Sequence, residues 1–230
     1  MIYWDIDNQA TPHLLICGAT GSGKSVSIVS TLQYALEAGI TDIYIFDPKY
    51  EFTRFNGMKI KVYNEIEDIE TSMRKLVEDM QRRAKAGVSH KTLVIFDEFA
   101  DAVAAAKSGK ELDIKEQVCT GISAAGMPKF EMKTVGRLKS LEENLKILLQ
   151  KGRSLGFRII AATQRASTKV ITGDAKVNLP VQICFRVPKE VDSKVVLDES
   201  GAESLNGRGD GLMRSPEYPN VIRFQGFYYV

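Results

Sequence analysis

The octapeptide Gly18-Ala19-Thr20-Gly21-Ser22-Gly23-Lys24-Ser25 constrains the fold of this chain more than any other stretch. It fits G-x-x-x-x-G-K-[S/T], a loop that cradles the phosphates of a nucleoside triphosphate when a strand precedes it and a helix follows. Apolar Leu14-Leu15-Ile16-Cys17 supplies the strand, and the run Val26 to Ala38 is compatible with a helix. A chance glycine turn before a helix would need no such strand. Gly18, Gly21 and Gly23 let the backbone turn with its N–H groups pointing inward at phosphate oxygens. Ala19, Thr20 and Ser22 complete the loop, and the helix N-terminus adds partial positive charge. Lys24 is expected to reach the β- and γ-phosphates, and the Ser25 hydroxyl to ligate Mg²⁺.

Beyond the loop the chain alternates between two hydrophobic periods. Asp42 to Phe46, Lys59 to Tyr63, Thr92 to Phe96, Phe157 to Thr163, Val181 to Val187 and Val221 to Tyr229 read as strands. Ile66, Ile69, Met73, Leu76, Val77 and Met80 recur at helical spacing within 65–86, which Gly87 ends. Glu98 to Ala106, Leu138 to Leu155 and Glu190 to Leu197 complete the predicted helices. Thr92-Leu93-Val94-Ile95-Phe96 is a continuous apolar run of the kind found at the centre of a parallel sheet. Strands alternating with helices after a phosphate loop predict an α/β fold: a mostly parallel, doubly wound sheet with helices on both faces. No linker divides the 230 residues, so a single domain, 1–230, is expected. Residues 107–139 lose periodicity and collect Gly109, Gly121, Gly126, Pro128 and Gly136, which marks an insertion, either a hairpin or a flexible loop.

Composition narrows the setting without naming a partner. A 44% hydrophobic, 26% charged chain is that of an ordinary soluble protein. No apolar run approaches membrane-spanning length. The net charge of +2 neither announces nor excludes nucleic acid, because a basic surface can be local. Cys17, Cys119 and Cys184 are odd in number and widely spaced; two lie in predicted strands and read as small buried apolar residues. A reducing cytoplasm is the expected compartment. His13 and His90 each precede a predicted strand and are given no catalytic role.

Hydrolysis needs a carboxylate to orient the metal and a group to position water. Asp97-Glu98 follow directly on the apolar strand 92–96, at the carboxyl end where ligands of such sheets bind. Asp97 is predicted to hold Mg²⁺ through its water shell and Glu98 to polarise the attacking water. Either acid alone could simply cap the following helix; together with a phosphate loop they point to catalysis. A second polar set, Thr163-Gln164-Arg165, ends the strand 157–163, where the Gln164 amide could sense the γ-phosphate.

Several ordered motifs, taken together, resemble the FtsK/SpoIIIE family of DNA translocases. They are Pro12-His13-Leu14-Leu15, Phe46-Asp47-Pro48-Lys49, Phe96-Asp97-Glu98-Phe99-Ala100-Asp101, Lys151-Gly152-Arg153-Ser154-Leu155-Gly156 and Ala161-Ala162-Thr163-Gln164-Arg165. Val170-Ile171-Thr172-Gly173, Asp192-Ser193-Lys194, Gly201-Ala202-Glu203-Ser204-Leu205 and Gly209-Asp210-Gly211-Leu212-Met213 continue the series in family order. The resemblance implies a RecA-like P-loop ATPase motor that assembles into a ring, usually a hexamer, and pumps double-stranded DNA through a central pore. It implies Arg153 as an arginine finger reaching a neighbour's γ-phosphate, Gln164 as sensor, and Arg165 and Lys194 as pore-loop contacts to the DNA backbone. Lys194 stands where the family more usually has arginine, so it lacks the bidentate fork.

Family members known from cell division also carry membrane helices, a further domain before the motor and a winged-helix module; the sequence contains none of these. It therefore reads either as an isolated motor fragment or as a minimal motor loaded and oriented by another protein, for DNA segregation, conjugative transfer or genome packaging. The alternative reading is an ATP-dependent protein-secretion or assembly motor of the same superfamily. Arg165, Lys194 and the matches in the last third of the chain favour DNA.

Overall fold

The computed structural model describes residues 4–107, 113–122, 127–168, 171 and 173–227. Val170 and Thr172 of one quoted motif, residues 108–112 and 123–126 of the 107–139 segment, and Tyr228-Tyr229 of the expected last strand lie outside the described residues.

The alternation in sequence becomes alternation in space. β1 (His13–Cys17) leads through the glycine loop into α1 (Lys24–Glu37), then β2 (Ile43–Phe46), β3 (Ile60–Tyr63) and α2 (Ile66–Ala86). β4 (Thr92–Phe96) and α3 (Phe99–Lys107) follow, then a hairpin of β5 (Asp113–Ile122) and β6 (Pro128–Arg137). α4 (Leu141–Lys151), β7 (Phe157–Thr163), α5 (Gly173–Asn178), β8 (Val181–Phe185), α6 (Glu190–Leu197), β9 (Asp210–Arg214) and β10 (Ile222–Gln225) complete the order.

The main sheet has eight strands in the order β10-β9-β8-β1-β7-β4-β2-β3. From β8 to β3 every pairing is parallel; β9 and β10 add an antiparallel edge. This is the mostly parallel, doubly wound α/β sheet the alternation predicts. Side chains along β1 divide between two cores, because successive residues of a strand point to opposite faces. Leu14 and Ile16 join Ile28, Leu32 and Ala35 of α1, whereas Leu15 and Cys17 join the side packed by α2, α3, α4 and α6. Helices therefore cover both faces, and the central strands β1, β4, β7 and β8 are buried along their whole length. Cys17 and Cys184 are buried as expected, and Cys119 is exposed on β5.

Several elements differ from the sequence reading, among them α5, which that reading did not include. The helix expected over 138–155 is shorter, because Ser140 and Glu143 close a capping box that starts α4 at Leu141. Gly152 then ends it, and Arg153–Leu155 form a separate 3₁₀ turn closed by Gly156 at φ +89°. The terminal strand is only Ile222–Gln225, and β9, which pairs with it, has no strand-like signal because Gly211 interrupts a short run. In its described residues, the segment 107–139 forms the antiparallel pair β5–β6, so of the two expected forms the hairpin is found.

Gly156 joins the amino-terminal ends of β4 and β7, its carbonyl accepting the Thr92 amide at 3.0 Å. A Cβ at this position would run into the His90 carbonyl, and the backbone is left-handed. Gly156→Ala is therefore expected to lower stability by about 1–3 kcal/mol, read as a reduced urea midpoint; an unchanged midpoint would contradict this account of the joint.

Candidate functional site: a phosphate loop facing two acids

The strand order decides the geometry of the site. β7 lies between β1 and β4, so three carboxyl ends open side by side: the glycine loop after β1, Thr163-Gln164 at the end of β7, and Asp97-Glu98 after β4. β2 adds Asp47-Pro48-Lys49 next to β4. Ligands of open parallel sheets bind outside the carboxyl ends of the strands, and here four neighbouring strands present such ends at once.

The loop has the shape its glycines predict. Gly21 and Gly23 are left-handed, at φ +74° and +116°. Gly18 lies so close to Ser22 Oγ and to Phe185 that a Cβ would sit 2.5 Å and 2.8 Å from them. No side chain caps the N-terminus of α1, which leaves its first-turn amides for an anion. The cavity above holds about 480 Å³, and Ala19, Thr20, Gly21, Gly23, Lys24 and Ser25 line it.

Lys24 is buried and its ammonium is in direct contact with Asp97 Oδ1, itself fully buried. Burial pushes the Asp97 carboxyl above its ordinary range; Lys24 opposes this, and the nearby Glu51 and Glu98 carboxylates add to it. The second oxygen, Oδ2, is buried with no hydrogen-bond partner. An unpartnered buried carboxylate oxygen at the end of the phosphate loop's lysine suits a hard cation. Among the described residues no group of three or more His, Cys, Asp or Glu could hold a metal. A cation here would therefore take most of its ligands from phosphate oxygens and water, the habit of Mg²⁺.

Glu98 is more elaborately held. Its backbone is left-handed, at φ +49°, and its carbonyl accepts the amides of Asp101 and Ala102 as α3 begins. The side chain turns into the sheet end instead. Oε1 accepts the Thr163 hydroxyl at 3.0 Å and the Gln164 amide at 2.8 Å, while Oε2 pairs with Lys49 at 2.9 Å. Burial opposes ionisation of this carboxyl, but the Gln164 amide and Lys49 outweigh it and hold the group below its ordinary range. A non-glycine residue held in the left-handed region is strained and persists because its surroundings over-determine it.

The remaining sequence-predicted residues divide. Gln164 is brought in, its Oε1 accepting the Thr20 hydroxyl of the phosphate loop at 3.2 Å. Arg165 extends beyond it, exposed and paired with Asp101 at 3.1 Å. Lys194 is on α6, exposed and paired with Glu190 at 2.6 Å. Arg153 is not brought to the cluster: it is exposed at the opposite end of the sheet, donating to the Gln9 carbonyl at 3.3 Å.

Sequence reasoning gave no role to Lys49, Glu51 or Asp47. Asp47 is buried and accepts the Phe52 amide at 2.7 Å and the Lys49 amide at 3.3 Å, which shapes the turn after β2. That turn presents Lys49 to Glu98 and Glu51 to Ser25, whose hydroxyl donates to Glu51 Oε2 at 2.7 Å. The available signal was positional: charged residues just past the carboxyl end of a predicted parallel strand.

Residues 1–115, half of the 230, match the FtsK/SpoIIIE family. The chain belongs to that family. The DNA translocase FtsK of Leptospira interrogans is 34% identical over 230 residues, covering 97% of this chain and 24% of its own length. This member of the FtsK/SpoIIIE family thus spans about a quarter of that curated relative. Among solved structures, the pCW3 conjugation coupling protein TcpA in a monomer form with ATPγS superimposes with a TM-score of 0.74. It is 26% identical, covering 99% of this chain and 62% of TcpA. The cytoplasmic domain of the Thermomonospora curvata type VII secretion ATPase EccC gives 0.70 at 22% identity, over 94% of this chain and 25% of that one. That second likeness is one of fold, the P-loop NTPase fold.

The lowered Glu98 carboxyl has a pH consequence. A carboxyl held below its ordinary value adds stability above the unfolded-state pKa, and loses it as pH falls through the folded-state value. Lys49→Met removes one support of that ionised state. Its urea midpoint is expected to fall below wild type at pH 7, with the difference shrinking as pH falls through the folded-state value of the Glu98 carboxyl; equal midpoints at neutrality would overturn the coupling.

Proposed function

We propose that residues 1–230 form the ATPase motor domain of a double-stranded DNA translocase, working in the cytoplasm as a ring, a hexamer. The observation that carries the reading is the junction of phosphate loop and acids. In a member of the FtsK/SpoIIIE family, Lys24 of the loop meets Asp97 directly, with Glu98 and Gln164 on the adjoining strand ends. The relatives and TcpA supply analogy for the polymer: one is named a DNA translocase, the other a conjugation coupling protein. The fold likeness to a secretion ATPase carries no argument about substrate.

On this reading the triphosphate of ATP replaces Asp97 as the partner of Lys24, and the loop amides Gly18 to Ser25 receive the phosphate oxygens. Ser25 and Asp97 would hold Mg²⁺, which supplies neutralisation of charge on the phosphates. Glu98 accepts a proton from the attacking water once a carboxylate oxygen is released from its present partners. Gln164, already hydrogen-bonded to Thr20 of the loop, reports whether the γ-phosphate is there. Arg153 acts on the neighbouring subunit's ATP, stabilising charge that develops on the transferred group. Arg165 and Lys194 exchange Asp101 and Glu190 for DNA phosphates, contacts that carry little sequence information and weaken with salt. A loading or orienting protein supplies direction.

The reading is tested by turnover. Lys24→Ala should abolish ATP binding, and Glu98→Gln should bind ATP while lowering kcat by about 10²–10⁴-fold. Linear duplex DNA at low salt should stimulate the wild-type ATPase, and Arg165→Ala should remove the stimulation while basal turnover remains. A wild-type protein whose turnover ignores duplex DNA would move the reading to a polypeptide substrate. Mixing inactive Arg153→Ala subunits with inactive Glu98→Gln subunits should restore activity; no recovery at any ratio would rule out action between subunits.

A further inference from the structure

The cavity over the phosphate loop has two ends of different chemistry. One end holds Lys24, Ser25, Glu51 and Gln164. The other is lined by Val26, Phe185, Arg208, Gly209, Gly226 and Phe227. β8, which ends in Phe185, lies on the side of β1 away from β7 and β4, so this second end faces away from Asp97 and Glu98.

A closed circuit of hydrogen bonds fixes that end to the loop. The Gly209 amide donates to the Ser22 carbonyl at 2.7 Å, and the Gly226 amide donates to the Gly209 carbonyl at 2.7 Å. Gln225 Nε2 donates to the Arg208 carbonyl at 2.9 Å, and the Ser30 hydroxyl of α1 donates to the Phe227 carbonyl at 3.0 Å. The approach is so close that a Cβ on Gly23 would lie 2.5 Å from the Gly209 amide nitrogen. Phosphate loop, Arg208-Gly209, Gly226-Phe227 and α1 thus form one frame around the opening. Held in that frame are two exposed planar groups. The Phe227 ring is 67% exposed, and the Arg208 guanidinium has no ion-pair partner among the described residues. Both line the cavity, yet neither packs into the core.

We propose that this end is a nucleobase subsite that selects purine nucleoside triphosphates by stacking on Phe227 and Arg208, and not by hydrogen bonds to the base edge. The inference rests on the ATP reading above and deepens it. Aromatic rings and guanidinium planes both stack on the face of any base, and a purine offers the larger face. Side chains that could tell adenine from guanine are committed elsewhere: among the described residues, Glu51 and Gln164 are bonded to Ser25 and Thr20 at the phosphate end, and the Gln225 amide donates to the Arg208 and Gly226 carbonyls. Adenine and guanine are therefore accepted alike, and the pyrimidines less well.

The test is calorimetric titration of the whole chain with the Mg²⁺ salts of ATP, GTP, UTP and inorganic tripolyphosphate. The wild type is expected to bind ATP and GTP within about threefold of each other, and UTP and tripolyphosphate about tenfold or more weakly. Phe227→Ala should bring ATP close to tripolyphosphate while leaving tripolyphosphate affinity unchanged, so the same variant reports that its loop is intact. Phe227→Tyr should bind ATP as wild type does. Arg208→Ala serves as the second variant, with a smaller loss in the same direction. Tripolyphosphate binding as tightly as ATP, or an ATP affinity indifferent to Phe227→Ala, would overturn the subsite while leaving the ATP reading in place. A preference for ATP over GTP above about tenfold would overturn the stacking-only selection. Failure of the wild type to bind ATP, GTP and tripolyphosphate alike would instead sink the ATP reading itself, and the subsite with it.

Discussion

A buried ammonium facing a buried carboxylate is the constraint around which the rest of the site is arranged. Lys24 and Asp97 are both removed from water, and each would cost several kcal/mol there without the other. Their contact requires the carboxyl ends of β1 and β4 to lie at one level with a single strand between them, which β7 provides. The pair is also unequal. Burial raises Asp97 even with Lys24 against it, and one of its oxygens has no partner. An anion carrying several charges and its own cation would relieve both deficits, giving Lys24 a larger counter-charge and Asp97 Oδ2 a ligand. The site is in this sense complementary to a metal-bound polyphosphate before any polyphosphate is present.

The two sides of the cavity are built by different means. On the side of β7, β4 and β2, polar side chains are held by other side chains: Glu98 by Thr163 and Lys49, Gln164 by Thr20, Ser25 by Glu51. On the side of β8, β9 and β10, backbone meets backbone through glycines, with Gly209 at φ +93° between the loop and Gly226. Side-chain partners can be exchanged when charge changes. A glycine contact closer than a Cβ allows has no such freedom, since any shift breaks the 2.7 Å bonds on both sides. The acid side is thus the one whose contacts can be exchanged, and the glycine side the more rigidly tied of the two.

Much of this was legible in the sequence, and what was not has physical reasons. The phosphate loop, the buried β4 run and the acids after it could be read because each is a local signal: glycine spacing, a five-residue apolar strand, charge at its end. Helices on both faces followed from alternation. The order of strands is not local. That β7 inserts between β1 and β4, bringing Gln164 beside Thr20, is decided by packing across 144 residues. Lys49 and Glu51 were visible only as charges after a strand, and the turn that aims them depends on Asp47 accepting the Phe52 amide. β9 is illegible because a five-residue strand with glycine at its second position has almost no period to read, and the 3₁₀ turn at Arg153 because a single glycine, Gly152, divides what reads as one helix.

Arg153 makes a sharper point about assembly. It lies just before β7, whereas Thr163 and Gln164 lie at its other end, and the seven residues of the strand span about 23 Å. Its guanidinium is at the level of Gln9, ahead of β1, on the edge of the sheet opposite the phosphate loop. An arginine there cannot act on a triphosphate in its own subunit without dismantling two central parallel strands. The choice is therefore narrow: either Arg153 is a surface residue with no part in hydrolysis, or the amino-terminal edge of one sheet faces the carboxyl-terminal edge of the next. The second arrangement is head-to-tail, and a repeated head-to-tail contact must close into a ring or run on as a filament. If this residue matters to turnover, then, a lone subunit is incomplete as a catalyst even though its own loop, acids and Gln164 are already in register.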